Sequence, residues 1–557
     1  MFKLTKVLFF GALIARETFA LWPVIDNEQY GTKHISFTTD HITINSGINN
    51  DILTRAINRY TDLIKTETYT PILDFEAGRI ATTNVNANLQ INVSNESSDL
   101  SLDTSEEYTL SVNSNGTAKL DAQTIYGAIR GLETFSQLVE FNAGRRVIKN
   151  TPIVLKDKPI FQHRGLLLDT SRNFYPVNSL KRIIDGMAYT KLNVFTWHLL
   201  DSYSWSVESK SDPNLHTKGS YGPGKVYMYT DVIEIIKYAK DRGIRVIPEF
   251  NMPGRSYSVG LSNPDLVSCF TQVPKTNNIL AGYPSGQINI AKSQSQDFAR
   301  SVISEYSKLF TDNYFNVGGN ALQLDCYNND PDVIQALRQN SGETVLTLLQ
   351  KFYGSAYDQA KKEGKTPIFW EDALLAHNYN VPKDAVIKAG KNDAQFIQIL
   401  QQGYKVIATP LKAFTLDCGK GNFVPNSNLN DVGECGPYKM WNTMYNYDPY
   451  FNLPNMSLRD QIIGGEVNMF SQQADNSNID RFLWPRLAAA AEVLWAGPYT
   501  PGTTTRRPFN PASARLNDFR ERLLQRGIKS MPLMPLWCAR NPYMCVLPPT
   551  SIPTTLF

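Results

Sequence analysis

From about residue 161 onward, short runs of apolar residues alternate with segments long enough to form helices. Between several runs, apolar residues recur at three- and four-residue steps, for example at 229–241 and 294–310, and this spacing predicts amphipathic helices. Short buried strands that alternate with helices are typical of a parallel sheet, and eight such strands predict a (β/α)8 TIM barrel in the α/β class. The eight runs are residues 165–169, 192–201, 244–250, 314–319, 367–370, 385–389, 405–409 and 462–469.

The first part of the chain has a mixed pattern of strands and helices. Alternating runs at 108–112 and 118–122 flank an Asn-Gly pair at Asn115, which predicts a β-hairpin. Apolar residues at helical spacing from Ile125 to Val139 predict a helix directly afterwards. A small α+β domain is therefore expected to precede the barrel.

Four segments follow from these patterns. They are a signal peptide at 1–20, an α+β domain at 21–157, the barrel at 158–530, and a Pro-rich tail at 531–557, which we expect to be extended and pinned by a disulfide. Lys3 and Lys6, an apolar run and a small-residue cleavage site at Thr18-Phe19-Ala20 indicate secretion or delivery to the secretory lumen. A buried first strand is the alternative for this segment. No run reaches the 18 or so apolar residues that a membrane span requires, so no span is expected.

Composition narrows the range of partners. The chain has 557 residues, 42% of them hydrophobic and 19% charged, which fits two or three globular domains. With 55 basic and 52 acidic residues the net charge is only +3. This charge is too close to zero for a nucleic-acid or anionic-membrane binder, so neither partner is expected.

The six cysteines fit a set of disulfides, although six cysteines allow about 15 pairings. They are Cys269, Cys326, Cys418, Cys435, Cys538 and Cys545. Because neither Cys-x-x-Cys nor His-x-x-x-His occurs, we expect no metal and no cofactor. Four glycosylation triplets are compatible with the secretory route, at Asn92, Asn95, Asn115 and Asn455.

Candidate chemistry lies where the strands end, because the active site of such a barrel forms at the carboxyl ends of its strands. The strand at 314–319 runs into Gly318-Gly319, which lets a ligand approach the backbone and presents Asn320 and Ala321 to it. The segment 418–458 is long enough to be a functional loop. Polar residues placed at predicted strand ends are Asp169, Asp201, Glu249, Asn320, Glu371 and Glu466.

Several short motifs occur in order along nearly the whole chain. They include Glu107-Tyr108-Thr109-Leu110, His163-Arg164-Gly165, Asp169-Thr170-Ser171-Arg172, Trp197-His198 with Asp201, Pro248-Glu249-Phe250, and Leu483-Trp484-Pro485-Arg486. In these motifs the chain resembles the secreted eukaryotic β-N-acetylhexosaminidases of glycoside hydrolase family 20.

The resemblance implies roles for retained residues. Arg172 matches an arginine that holds sugar hydroxyls, Asp417 an aspartate that bonds a hydroxyl, and Trp370 a tryptophan around the acetamido methyl. Asp201, His198 and Glu249 match the polar network beneath the site, although His198 and Glu249 could equally be satisfied core groups. The resemblance also implies the disulfides Cys269–Cys326, Cys418–Cys435 and Cys538–Cys545.

The departures from the family pattern fall together. Asn320 stands where the family has the aspartate that orients the acetamido group, and Ala321 stands where it has the catalytic acid. The other changed positions implied by the resemblance are Ser202, Asn251, Arg255, Gly390, Thr415, Phe470 in place of a stacking tryptophan, and Gln472 in place of a hydroxyl-binding glutamate.

Three functions remain open. The preferred one is an impaired or inactive hexosaminidase-like protein of amino-sugar metabolism, which binds chitin fragments or N-glycans carrying N-acetylhexosamine, or pairs with an active paralogue. It is preferred because alanine cannot donate the proton that a general acid provides, a contribution of roughly 10²–10⁴ in rate. The second is an active enzyme that removes terminal N-acetylhexosamine by substrate-assisted retaining hydrolysis, with Asp325 or Glu371 as an unusual acid. The third is an interaction protein without a sugar ligand, and a homodimer stays open throughout.

Overall fold

The computed structural model describes residues 21–72, 81–270, 284–424, 428, 430, 435–541 and 544–545. The predicted signal segment, 1–20, and most of the tail beyond residue 541 lie outside the described residues. Helices and strands begin and end within a few residues of the positions that the hydrophobic pattern predicts, because each barrel strand is an isolated apolar run between polar turns.

An eight-stranded sheet forms the first part of the chain, and α2 packs on it with α1 beside α2. The predicted hairpin is β5–β6, and α2 follows at once because the Oγ of Thr124 accepts a hydrogen bond from the backbone N–H of Gly127 at 3.1 Å. The elements are β1 (Asn27–Phe37), β2 (Ile42–Ser46), α1 (Asp51–Thr66), β3 (Thr83–Asn84), β4 (Ala87–Asn95), β5 (Tyr108–Val112), β6 (Thr117–Thr124), α2 (Ile125–Leu138), β7 (Glu140–Asn142) and β8 (Arg145–Asp157). The sheet order is β2-β4-β6-β5-β8-β1-β3, with β7 paired to β8.

A closed barrel of eight parallel strands follows, as predicted. Around it the strands run in the order β9 (His163–Asp169), β10 (Val194–Leu200), β11 (Arg245–Met252), β14 (Tyr314–Gly318), β15 (Thr366–Trp370), β16 (Val386–Ala389), β17 (Lys405–Ala408) and β18 (Ile462–Met469). A two-stranded ribbon, β12 (Val267–Ser268) and β13 (Gln287–Ile288), lies in the connection after β11.

Helices surround the barrel and supply the connections between parallel strands. Between successive strands lie α3 (Val177–Tyr189), α4 (Asn214–Gly219), α5 (Tyr229–Lys240), α6 (Tyr257–Ser262), α7 (Ser293–Leu309), α8 (Leu324–Asn328), α9 (Pro331–Gln339), α10 (Val345–Lys362), α11 (Glu371–Leu375), α12 (Asp393–Gln401) and α13 (Trp441–Tyr445). After β18 come α14 (Ile479–Leu483), α15 (Arg486–Ala496), α16 (Phe509–Gln525) and α17 (Leu536–Arg540). Single turns of 3₁₀ helix occur at Thr39–His41 and Pro264–Leu266, and a longer one at Met456–Gln461.

The barrel interior has two different layers. The lower layer is apolar and closes the bottom of the barrel; its members are Val194, Ile247, Tyr314, Ile368, Val386, Ile407 and Ile463. Above it the inward side chains are charged or polar, and they support the floor of the cavity described below. The apolar layer is a packed core that excludes water from the bottom of the barrel, so the polar groups above it are held in fixed positions.

A buried ionic cluster joins the sheet domain to the barrel. Glu106, just before β5, accepts hydrogen bonds from Nε of Arg130 at 2.7 Å and from Nη2 of Arg164 at 2.6 Å. Arg130 lies on α2 and also donates to the carbonyl of Gly243, in the barrel, at 2.8 Å. Because each cation is buried and multiply bonded, the pair of arginines fixes how the two parts meet.

The C-terminal segment differs from the prediction in one respect. We expected the tail to be extended, but residues 536–540 form the short helix α17. The helix begins immediately after Pro535, because proline is well accommodated just before a first turn, where no N–H donor is needed. The expectation of an entirely extended tail is therefore wrong over these residues.

All six cysteines are paired in the structure. The Cα–Cα separations are 6.0 Å for Cys269–Cys326, 5.1 Å for Cys418–Cys435 and 5.6 Å for Cys538–Cys545. These are the pairs that the family resemblance implies, and each separation lies within the usual disulfide range.

Candidate functional site

A cavity of about 310 Å³ opens at the carboxyl ends of the barrel strands. Its wall brings together every predicted sugar-binding residue, although these residues are far apart in sequence: Arg172, Asp201, Trp370, Asp417, Phe470 and Gln472. Asn320 also lines the cavity, whereas Ala321 lies beside it and is half-buried outside the lining. The side chain of Ala321 ends at Cβ, so we correct the expectation that it forms part of the wall.

Arg172 is held rigidly near the start of the loop that follows β9. Its guanidinium hydrogen-bonds the carboxylate of Asp169, and its Nη1 lies 3.1 Å from Oδ2 of Asp201. The ring of Phe470 lies 5.3 Å below the guanidinium carbon. Burial opposes the charge, but the two carboxylates outweigh it and hold the pKa of Arg172 above its usual range. Nε of Arg172 is buried without a protein partner, which leaves one donor of a fixed cation.

His198, on β10, is clamped between two carboxylates under the cavity. Its Nδ1 lies 2.7 Å from Oε1 of Glu249, and its Nε2 lies 3.3 Å from Oδ2 of Asp201. Burial lowers the pKa of His198, but the two hydrogen bonds raise it to about 9 overall. The ring is therefore cationic at neutral pH, with both N–H groups donating. Burial opposes the ionisation of Asp201, yet Arg172 and His198 hold its pKa well below the usual range.

Glu249 and Glu466 do not lie at strand ends, contrary to the prediction. Both are in the middle of strands, β11 and β18, and both point into the barrel. Lys388, on β16, lies between them, with Nζ 3.2 Å from Oε2 of Glu249 and 2.5 Å from Oε1 of Glu466. Thr196 donates to Oε2 of Glu466 at 2.5 Å. Despite burial, Lys388 is the main cause that lowers the pKa of Glu466 to about 2.

Lys388 was not identified from the sequence. Its position within an apolar strand could have identified it, because a charged side chain that is buried in a barrel must be paired with an opposite charge. Its Nζ also lies 4.5 Å from the ring of Trp370, so the lysine supports the cavity wall from below. Glu249, Glu466 and Lys388 therefore belong to a buried ionic layer beneath the site.

Asn320 is held through its backbone by the side chain of Asn251. The amide of Asn251 accepts from N of Asn320 and donates to its carbonyl oxygen, both at 3.2 Å. Gly318 and Gly319 have φ of 93° and 94°, and Ala321 has φ of 57°, so the strand leaves the barrel through left-handed conformations. A Cβ on Gly318 would lie 2.6 Å from Oδ1 of Asn251, so glycine is required for this approach.

Two carboxyl groups in the wall have a raised pKa. Burial raises the pKa of Asp417 to about 6, while the N–H of Phe470, 3.4 Å from its Oδ1, opposes the shift. Burial also raises the pKa of Glu371, which lies directly after Trp370. Of the two residues considered as an unusual acid, Glu371 lines the cavity, whereas Asp325 is exposed on α8 and lies outside the lining.

The mouth of the cavity is formed partly by the loop that follows β17. Cys418 and Cys435 both line the cavity, so their disulfide shapes one wall. Phe423 and Leu411, at the rim, are 43% and 38% exposed, and Lys391, on the segment after β16, also lines the cavity. The loop could be identified from the sequence, but these three side chains could not. An isolated Phe, Leu or Lys in a loop carries no signal of its own.

The described part of the chain offers neither a metal site built from acidic, His or Cys side chains nor a membrane-spanning helix. No group of three or more His, Cys, Asp or Glu side chains there could hold a metal ion. No helix among the described residues is both long and apolar enough to cross a membrane.

Comparison with known proteins agrees with the fold. The model described as "Glycosyl hydrolase family 20, catalytic domain" matches residues 161–498, and "beta-acetyl hexosaminidase like" matches residues 21–138. The chain is 34% identical over 550 residues to "Chitooligosaccharidolytic beta-N-acetylglucosaminidase" of Bombyx mori, which covers 94% of this chain and 89% of that protein.

A second relative and a solved structure extend the comparison. "Beta-hexosaminidase subunit A2" of Dictyostelium discoideum is 33% identical over 509 residues, covering 91% of this chain and 87% of that protein. The solved chitobiase of Flavobacterium johnsoniae superposes with a TM-score of 0.76 at 25% identity, covering 93% of this chain and 74% of that chain.

Proposed function

This chain belongs to glycosyl hydrolase family 20, and from that premise we propose that it binds an N-acetylhexosamine-bearing glycan and hydrolyses it very slowly or not at all. One observation carries the proposal. The cavity keeps a charged and aromatic lining suited to a sugar, yet of the two positions to which the resemblance assigns catalysis, Asn320 offers only an amide to the cavity and Ala321, beside it, has only a methyl group.

The lining supports sugar binding. Arg172 is pre-positioned by its two carboxylate partners, so its free Nε–H could meet a hydroxyl at little entropic cost. Trp370 and Phe470 offer ring surfaces, and Asp417 offers a carboxyl. A cavity of about 310 Å³ falls at the lower end of small-molecule sites, which fits one sugar ring.

The two changed positions weaken the case for hydrolysis. In substrate-assisted hydrolysis the acetamido oxygen attacks the sugar carbon, an acid protonates the leaving oxygen, and a carboxylate stabilises the positive charge that develops. Ala321 has no proton to give, which removes roughly 10²–10⁴ in rate. Asn320 carries no charge, which removes roughly another 10²–10³.

The direct experiment is a chromogenic N-acetylglucosaminide assay on the wild type and on Asn320→Asp/Ala321→Glu. The wild type is expected to be at least about 10³-fold slower than the Bombyx mori relative, and the double variant should recover part of the rate. Recovery should be incomplete because Ser202, Gly390 and Thr415 remain changed. Asn340→Asp, at the exposed end of α9, is the control and should not raise the rate. Wild-type turnover equal to that of the relative would refute the proposal.

A second candidate is slow hydrolysis with Glu371 as the acid, because its carboxyl lines the cavity and has a raised pKa. In that case any residual wild-type rate would vanish in Glu371→Gln, since an amide does not transfer a proton as an acid does. A residual rate that survives Glu371→Gln would exclude this candidate.

We further propose pairing with an active paralogue, supported by the word "subunit" in the name of the Dictyostelium discoideum relative. Mixing the chain with an active family member and measuring mass by light scattering would reveal a heterodimer, and the chain alone would reveal a homodimer. An interaction role without sugar remains if no N-acetylhexosamine ligand binds.

Secretion and the four-segment division also remain proposals. Three disulfides support an oxidising compartment, and all four glycosylation-triplet asparagines are exposed: Asn92, Asn95, Asn115 and Asn455. Expression in a secreting eukaryotic host, followed by N-glycosidase treatment, should give protein in the medium whose mass falls on treatment. Retention inside the cell would contradict the signal segment.

A further inference from the structure

We propose that Glu371 is a ligand-binding carboxylic acid whose protonated Oε2 donates a hydrogen bond to an uncharged oxygen of the bound sugar. The inference rests on the proposed function, because it concerns the same cavity. It assigns a role to a residue that neither the retained motif nor the changed pair includes.

The geometry of Glu371 leaves one of its oxygens for a ligand. Its Oε1 accepts hydrogen bonds from the backbone N–H groups of Gly390 at 3.2 Å and Lys391 at 2.9 Å. Its Oε2 is buried and has no hydrogen-bond partner in the protein. The residue lines the cavity and is only 2% exposed. Buried polar atoms almost always have a partner, so a ligand atom is the natural partner for Oε2.

The surroundings place the proton on Oε2. Both N–H groups point at Oε1 and occupy it as an acceptor, so a proton on the carboxyl belongs on the other oxygen. Burial raises the pKa of Glu371, neighbouring Asp372 adds to the shift, and the two N–H groups and Lys391 oppose it. The Lys391 ammonium is itself paired with the carboxylate of Asp372.

The rest of the cavity favours an uncharged acceptor oxygen. Nε1 of Trp370, the preceding residue, is also buried without a partner, so two adjacent residues that line the cavity each carry a polar group with no partner in the protein. Across the cavity, Arg172 and His198 are both paired with Asp201, and Arg255 and Asp417 are the other charged or titratable groups that face it. A protonated acid beside an indole N–H suits a carbonyl or hydroxyl oxygen, as in an N-acetylated sugar.

The test compares calorimetric binding of N-acetylglucosamine at about pH 5 and about pH 8 for the wild type, Glu371→Gln and Glu371→Ala. The amide of glutamine keeps the acceptor for Gly390 and Lys391 and carries a permanent donor in place of Oε2. When the pH is raised from the lower to the higher value, the affinity of the wild type should fall by a factor that is about three- to tenfold larger than the factor for Glu371→Gln. Glu371→Ala should bind about three- to tenfold more weakly than the wild type at the lower pH.

Two features keep the comparison clean. Asp417, whose pKa is raised to about 6, titrates between the two assay pH values but is present in every variant, so its contribution cancels between the wild type and Glu371→Gln. Asp384→Asn is the control, because Asp384 lies just before β16 at the opposite end of the barrel and should leave the pH profile unchanged. Melting temperatures confirm that each variant is folded.

The outcomes separate two failures. If N-acetylglucosamine binds but Glu371→Gln follows the wild-type pH profile, or if Glu371→Ala binds as tightly as the wild type, the role of Glu371 is refuted and the proposed function stands. If Glu371→Gln binds more weakly at both pH values, the carboxylate accepts rather than donates, which also overturns the inference. If no variant binds N-acetylglucosamine at either pH, the proposed function fails and this inference fails with it.

Discussion

Replacing Lys388 by methionine should destabilise the barrel more than any surface charge change. Lys388 is 1% exposed, and its Nζ contacts the carboxylates of Glu249 and Glu466 at 3.2 and 2.5 Å. Methionine has a similar length, so the main loss is the charge rather than the volume. Both carboxylates would then remain buried without the cation that lies between them.

The expected cost is about 3–5 kcal/mol of unfolding free energy at neutral pH, the usual result of removing one partner from a buried ion pair. The pH dependence follows from Glu466. Its pKa is lowered to about 2 in the folded protein, so its pairing stabilises the fold above the unfolded pKa and is lost as the pH falls through about 2. Without Lys388, burial raises the pKa of Glu466 instead. The carboxyl is then protonated at mildly acidic pH, and the deficit of the variant should shrink there.

The assay is urea unfolding at about pH 7.5 and about pH 5, with linear extrapolation to water. Lys405→Met, at the exposed start of the neighbouring strand β17, is the matched control and should change stability by less than about 0.5 kcal/mol. Adding Glu466→Gln to Lys388→Met should restore part of the loss, because it removes one of the two unpaired charges. A loss below about 1 kcal/mol, or a deficit that grows on acidification, would refute the assignment of Lys388 as the cation of this layer.

Two predictions concern the cavity itself. Asp417→Asn should stabilise the fold by about 1–2 kcal/mol at about pH 8 and by almost nothing below about pH 4, because the raised pKa of Asp417, about 6, penalises its charged form only as the pH rises. The same variant should bind N-acetylglucosamine more weakly, and equal stability at both pH values by urea unfolding would contradict the shift. Cys418→Ser/Cys435→Ser should lose about 2–4 kcal/mol of stability and some sugar affinity, since both cysteines line the cavity. Cys538→Ser/Cys545→Ser, which opens a shorter loop remote from the cavity lining, should leave calorimetric sugar affinity unchanged, and an equal loss in both variants would argue against a role for the loop wall.

Much of the fold could be predicted because the signals are local. The eight barrel strands are short apolar runs, and parallel strands buried on both faces must be apolar along their length. The hairpin β5–β6 and α2 follow from an Asn-Gly turn and a helical repeat. The convergence of Arg172, Asp201 and Asp417 on one cavity could also be predicted, because a closed barrel gathers its strand ends at one mouth.

The sequence by itself thus determined the architecture, the location of the site and the identity of most side chains that line it. Only the tertiary structure decided which inward residues meet, because that depends on the stagger of strands around the barrel. Glu249 and Glu466 therefore lie beneath the site around Lys388 rather than at its edge. Oε2 of Glu371 is likewise left without a partner because the backbone that leaves β16 directs two N–H groups at Oε1. No local sequence pattern encodes the path of that backbone.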